Sequence, residues 1–317
     1  MNASLCRLFD RLAILLAAAR APRLDGRNPN LDEARAFLES ADFISREVQP
    51  VRVEFGKRPH FSFATPHPTP FLQNNIVHGR LYRCERQWQE RPTVLLLHGW
   101  NDIIDHRCRF PVIAGQINRQ GINAATLETP YHFQRRPRQL GSWSNFLCPD
   151  ILRTTRATAQ AVAEIRAFAG WLREQGCPAV GLWGISLGAW LAGLAGCHDA
   201  RWSCLVLMAP VARLDCVIEK LPFCRHIRAV LQGQPAVAAR LNLTSSRPAI
   251  STSNILLIEA EHDLFMAKET VEELWRAWEQ PEIWRLPEGH ISVLCAIGLS
   301  NRIIRWIAPR MCEPVAK

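Results

Sequence analysis

Apolar positions along the chain recur at two spacings. Residues 51–55 and 79–83 alternate at period two, as half-exposed strands do. Residues 93–97 form a near-continuous apolar run, the pattern of a strand buried on both faces. Further strands are predicted at 123–127, 179–183, 204–208, 255–259 and 282–286. Between them the spacing changes to that of helices. The strongest is 155–174, with Ala161, Ile165, Phe168, Ala169 and Leu172 along one stripe. Others are predicted at 110–120, 187–196, 268–279 and 291–308. The proline-rich stretch between 59 and 70 reads as irregular.

Strand alternating with helix through short connections argues for a mostly parallel sheet flanked by helices. One long connection, 211–253, breaks the rhythm. A compact domain rarely holds so long a structureless loop, so a helical insertion is predicted there, from 211–221 and 225–231. Residues 1–47 form an N-terminal helical extension and 48–317 the main domain.

Two apolar segments invite a membrane reading. Residues 12–19 follow Arg7 and Arg11 and precede Ala19-Arg20-Ala21, as in a signal peptide, but Asp10 and Arg11 interrupt the approach and the apolar stretch is short. An amphipathic helix packed on the domain is expected, with membrane-surface contact or export as the alternatives. Residues 179–197 carry no charge, yet include five glycines, which suits a strand followed by a small-residue helix.

Composition narrows the class. Forty-eight per cent hydrophobic residues exclude a disordered chain. The +9 net charge comes almost entirely from Arg, and no basic block is interleaved with aromatics, so nucleic-acid binding is not expected. Eleven cysteines, an odd number with no C-x-x-C spacing, fit a reducing, cytoplasmic setting better than a disulfide framework or a zinc site.

The candidate chemistry sits at predicted strand ends. Gly184-Ile185-Ser186-Leu187-Gly188 follows one strand and opens a helix, the context of a nucleophile elbow. Side chains at the two glycine positions would collide with the flanking strand and helix. Ser186 would stand at a helix N-terminus, where the dipole and free N–H groups favour developing negative charge. After strand 93–97 comes His98-Gly99-Trp100-Asn101. The backbone N–H groups of Trp100 and Leu187 are the expected oxyanion donors, and His98 reads as structural. A weak hydroxyl needs a base, and its imidazole needs a carboxylate to fix the tautomer. His290 after strand 282–286 supplies the base. Asp263 after strand 255–259 supplies the acid, with Asp215 the runner-up and Glu261 and His262 bystanders.

These residues resemble the α/β-hydrolase superfamily from about residue 48 to 309, through His98-Gly99-Trp100, Gly184-x-Ser186-x-Gly188, Asp263 and His290. The resemblance implies an eight-stranded, mostly parallel sheet, a Ser–His–Asp triad and a helical lid insertion. Glu128-Thr129-Pro130-Tyr131 and Trp183-Gly184-Ile185-Ser186-Leu187-Gly188 look like the branch called alpha/beta hydrolase domain-containing 18. Trp190 departs from the small residue common after the elbow, and its indole is expected to narrow the pocket.

The reading is a serine hydrolase of a small-molecule carboxylic ester, lipid-like or anionic, needing no metal or organic cofactor. The alternatives are a catalytically silent binding protein on the same fold and an acyltransferase. Arg135, Arg136 and Arg138 are expected to hold an anionic head group by bidentate hydrogen bonds. Apolar residues of 211–253 offer a roof for an acyl chain.

Overall fold

The computed structural model describes residues 2–21, 31–41, 43–45, 47–84, 87–141, 145–231, 234 and 236–312. Its strands are β1 (Glu54–Phe55), β2 (His60–Ala64), β3 (Ile76–Tyr82), β4 (Thr93–Leu97), β5 (Asn123–Leu127), β6 (Val180–Ile185), β7 (Leu205–Met208), β8 (Ile255–Ala260) and β9 (Glu282–Leu286). Its helices are α1 (Ala3–Ala19), α2 (Leu31–Glu39), α3 (Phe110–Asn118), α4 (Ile151–Glu174), α5 (Leu187–His198), α6 (Leu214–Lys220), α7 (Arg225–Leu231), α8 (Ala236–Ala239), α9 (Lys268–Ala277) and α10 (Leu299–Arg310).

All nine strands form one sheet in the order β1-β2-β3-β5-β4-β6-β7-β8-β9. Pairing is antiparallel from β1 to β5 and parallel from there on. The sheet has one strand more than expected. The addition is β2, where His60-Phe61-Ser62-Phe63-Ala64 alternates at period two and buries Phe61 and Phe63. Strand 51–55 contracts to two residues.

The parallel strands read as continuous apolar runs because both faces are covered. In β4, Leu95 and Leu97 face one core while Val94 and Leu96 face the other. The first core takes in α4 and α5, and the second α3 and α10. The predicted helix 291–308 is a correction: helix begins only at Leu299, after Gly298 at φ 75°. A 3₁₀ turn at Ser292–Cys295 precedes it.

This order positions the site. From β4 the chain crosses to β5 on one side and then to β6 on the other. Such a reversal opens a crevice outside the carboxyl ends of the strands. The loops after β4, β6, β8 and β9 all leave that edge. Residues 211–253 carry α6, α7 and α8.

Candidate active site

Ser186 links β6 to α5 at φ 52° and ψ −114°, outside the regions open to most L-residues. Strain of this kind costs about 1–3 kcal/mol and survives only where the surroundings enforce it. Here they do. The Ser186 N–H donates to the Met208 carbonyl at 2.9 Å. A Cβ on Gly184 would lie 2.2 Å from the Gly188 carbonyl oxygen, and one on Gly188 would lie 2.1 Å from that of Leu97. Only glycine lets the turn close this tightly against β4. Ser186 is half-buried between fully buried neighbours.

Three distant segments meet at its hydroxyl. The His290 ring donates from Nδ1 to Asp263 Oδ2 at 2.7 Å. That proton leaves Nε2 as an acceptor, and Ser186 Oγ donates to it at 2.9 Å. The other Asp263 oxygen accepts the N–H groups of Phe265 at 2.7 Å and Met266 at 2.8 Å. The Asp263 and His290 loops run side by side because β8 and β9 are neighbours: Glu261 N–H donates to the Leu286 carbonyl and His262 N–H to that of Glu288. Burial disfavours the charged His290 ring, but Asp263, Asp10 and Asp102 together hold its pKa above the ordinary imidazole value.

The loop after β4 lies against this chain. A Cβ at Gly99 would sit 3.6 Å from that of Ser186. His98 is fully buried, and its structural role is visible: Nε2 accepts the Thr129 N–H at 3.1 Å, so Nδ1 carries the proton to the Gly99 carbonyl at 2.8 Å. Burial and the neighbouring His106 push its pKa down to about 4, so it stays neutral and pins the loop to the one after β5. On the same loop, burial and Asp102 push the Asp105 carboxyl up to about 8. Leu187 is the first residue of α5, where an N–H has no partner within the helix. Trp100 packs on Phe223 of the insertion with ring centroids 5.0 Å apart, and Phe223 lies 6.2 Å from Phe265. Phe265 in turn stacks on the His290 ring at 4.5 Å. An aromatic run thus reaches from the β4 loop across the insertion to His290.

Several expected residues lie elsewhere. Arg135 is a correction: fully buried, it forms a two-pronged pair with Glu164 at 2.6 and 2.7 Å and donates to the carbonyls of Asn74 and Glu128. It has no donor left for a head group. Arg136 is half-buried and Arg138 exposed. Asp215 pairs with Arg213 at 2.7 Å. The Trp190 indole is fully buried and donates to the Leu241 carbonyl at 2.7 Å, tying the insertion to α5.

One residue was missed. Asp10 of α1 is fully buried, and its carboxylate accepts N–H groups from Leu264, His290 and Ile291. The signal was present: it is the sole acid of α1, on the same stripe as the buried Cys6 and Ala17.

A mostly parallel sheet with a strained serine at the β6–α5 turn is the arrangement of the α/β-hydrolase fold. Residues 62–218 match the family model described as alpha/beta hydrolase domain containing 18. The uncharacterized protein Rv2627c of Mycobacterium tuberculosis is 29% identical over 307 residues, covering 90% of this chain and 72% of that protein. Among solved structures, the acetyl xylan esterase from Paenibacillus sp. R4 is similar at a TM-score of 0.56 with 13% identity, over 91% of this chain and 98% of that one. The Pyrococcus furiosus esterase Pf2001 is similar at 0.55 with 15% identity, over 92% and 99%. At such identities the likeness is one of fold.

Proposed function

We propose that this protein is a serine hydrolase that cleaves carboxylic esters through an acyl-enzyme. The observation that carries the reading is the pair of hydrogen bonds from Asp263 through His290 to a half-buried, strained Ser186. Ser186 Oγ attacks the ester carbonyl while His290 Nε2 takes its proton. Asp263 keeps the ring in the tautomer that can do so and stabilises the imidazolium. The N–H groups of Leu187 and Trp100 hold the tetrahedral oxyanion. The imidazolium protonates the leaving alcohol. Water, deprotonated by His290, then attacks the acyl-enzyme and releases acid and free serine. Solved structures of similar fold that are named as esterases support this choice of substrate.

The substrate class we propose is an acyl ester presented at a lipid surface, with residues 211–253 acting as lid. No described helix is long and apolar enough to cross a membrane. Yet α1 exposes Leu5, Leu8, Phe9, Leu12, Leu15 and Leu16, at the spacing of one helical stripe. Arg7 and Arg11, also exposed, flank that stripe, and the one acid of α1 is buried. Apolar residues with purely cationic flanks match an anionic lipid surface. The opposite side of α1 touches the loops of Asp263 and His290, so a docked surface lies beside the site.

A chain-length series of p-nitrophenyl esters tests both parts. Wild-type protein should hydrolyse them, Ser186→Ala should not, and medium-length chains should outpace acetate. Equal rates for the two proteins would end the hydrolase reading. Flotation with phosphatidylglycerol or phosphatidylcholine vesicles tests the surface. Wild type should float with the anionic vesicles, and Leu12→Glu/Leu15→Glu should not. A concentration-dependent dimer that ignores both vesicles would assign the stripe to a second copy instead.

A further inference from the structure

α1 reaches the site from a part of the chain that supplies none of the reacting side chains. Its Asp10 carboxylate lies between the acid loop and the base loop. Oδ2 accepts the Leu264 N–H at 2.9 Å and the His290 N–H at 2.9 Å, while Oδ1 accepts the Ile291 N–H at 3.0 Å. Leu264 directly follows Asp263. One carboxylate thus holds the main chain at or beside both partners of Ser186.

The surroundings are built for this contact. A Cβ at Gly289 would lie 3.0 Å from the Cys6 carbonyl oxygen and 3.1 Å from each Asp10 oxygen, so the glycine before His290 gives α1 room to approach. One helical turn earlier, Cys6 is fully buried, with its Sγ 3.4 Å from the Ser292 hydroxyl and 3.6 Å from Glu288. A carboxylate out of water is costly unless hydrogen bonds replace its hydration, and three N–H donors do so here. A neutral side chain at position 10 would leave three N–H donors, that of His290 buried, with no equivalent acceptor.

We propose that Asp10 is a positioning residue for the reaction, a latch from α1 that sets the backbone of the Asp263 and His290 loops so that imidazole, carboxylate and serine stay in register. The proposal rests on the serine-hydrolase reading above. Asp10 also adds to the negative field at the His290 ring, together with Asp263 and Asp102. That field gives a readout which fold stability alone would not move.

The test compares wild type with Asp10→Asn, which keeps the size but replaces one acceptor oxygen by a donor and removes the charge. Steady-state kinetics on a short p-nitrophenyl ester should show kcat lower by on the order of 10²-fold, the scale of a small misplacement at a reacting centre, with KM nearly unchanged. An NMR titration of the His290 ring should show its pKa falling, and the acidic limb of kcat/KM should move to lower pH with it. The titration needs no turnover, so a failure of the latch is separable from a failure of the hydrolase reading. Wild-type kcat and an unmoved titration would overturn the proposal, as would a loss of rate that only follows a lowered Tm. If Asp10→Asn does not fold, Asp10→Glu takes its place. Keeping the charge while shifting the oxygens by one methylene, it should lower kcat and leave the titration near that of wild type; unchanged kcat would overturn the latch.

Discussion

Loops that leave the carboxyl edge of the sheet put buried polar side chains to two opposite uses. After β5, the Arg135 guanidinium is enclosed by Glu164, Asn74 and Glu128. It is a closed network that binds the loop to α4. After β6, β8 and β9, the chain from Asp263 through His290 ends on a hydroxyl that is half-buried. Closed networks hold structure, whereas an open end at the rim of a crevice is available for chemistry. The residue types alone do not separate the two, because Arg135 has the chemistry of an anion ligand and lacks only the freedom to act as one.

The contrast breaks most sharply at its open end. Replacing Ser186 by Ala should lower kcat on an ester by about 10⁶-fold, and Asp263→Asn by about 10⁴-fold through loss of the correct His290 tautomer. Both variants should melt close to wild type, since neither fills a closed network. At the closed end the pattern inverts. Arg135→Ala should cost about 3–5 kcal/mol of stability, read as a lower denaturation midpoint, because Glu164 is left charged and buried. Its soluble fraction should keep most of the wild-type KM. Arg138→Ala should stay within about 0.5 kcal/mol of wild type, as an exposed site should.

A pH profile sharpens the same comparison. The proposed reaction needs His290 neutral at Nε2. Because nearby carboxylates favour the protonated ring, activity should be absent in acid and reach half its plateau above the usual imidazole value of about 6.5. His98, held neutral by burial with its pKa near 4, should contribute no second step in that range. A modest effect on stability is expected of Trp190→Phe. Losing the indole bond to Leu241 should cost about 1 kcal/mol, seen as a modest drop in Tm.

Much of this was legible in the sequence where one local pattern carried it. The run from Val94 to Leu97 reads as a doubly buried strand, and the glycines of 184–188 state that something must pass close by. The strand at His60–Ala64 was hidden by the prolines after it, although Phe61 and Phe63 alternate as a strand should. Helix spacing past His290 was read too early, because the 3₁₀ turn at Ser292–Cys295 also places apolar residues a few positions apart. Partners distant in sequence were harder still. Nothing near Arg135 announces Glu164, and nothing near Asp10 announces His290, since both contacts exist only once the sheet has brought separate segments together.

The most direct measurement of the central claim is covalent labelling by a fluorophosphonate probe, followed by intact mass and peptide mapping. The account expects one adduct per chain on Ser186 in wild type, none in Ser186→Ala, and a strongly slowed reaction in His290→Gln. Equal labelling of the Ser186→Ala variant, or a folded wild type that stays unlabelled, would contradict it.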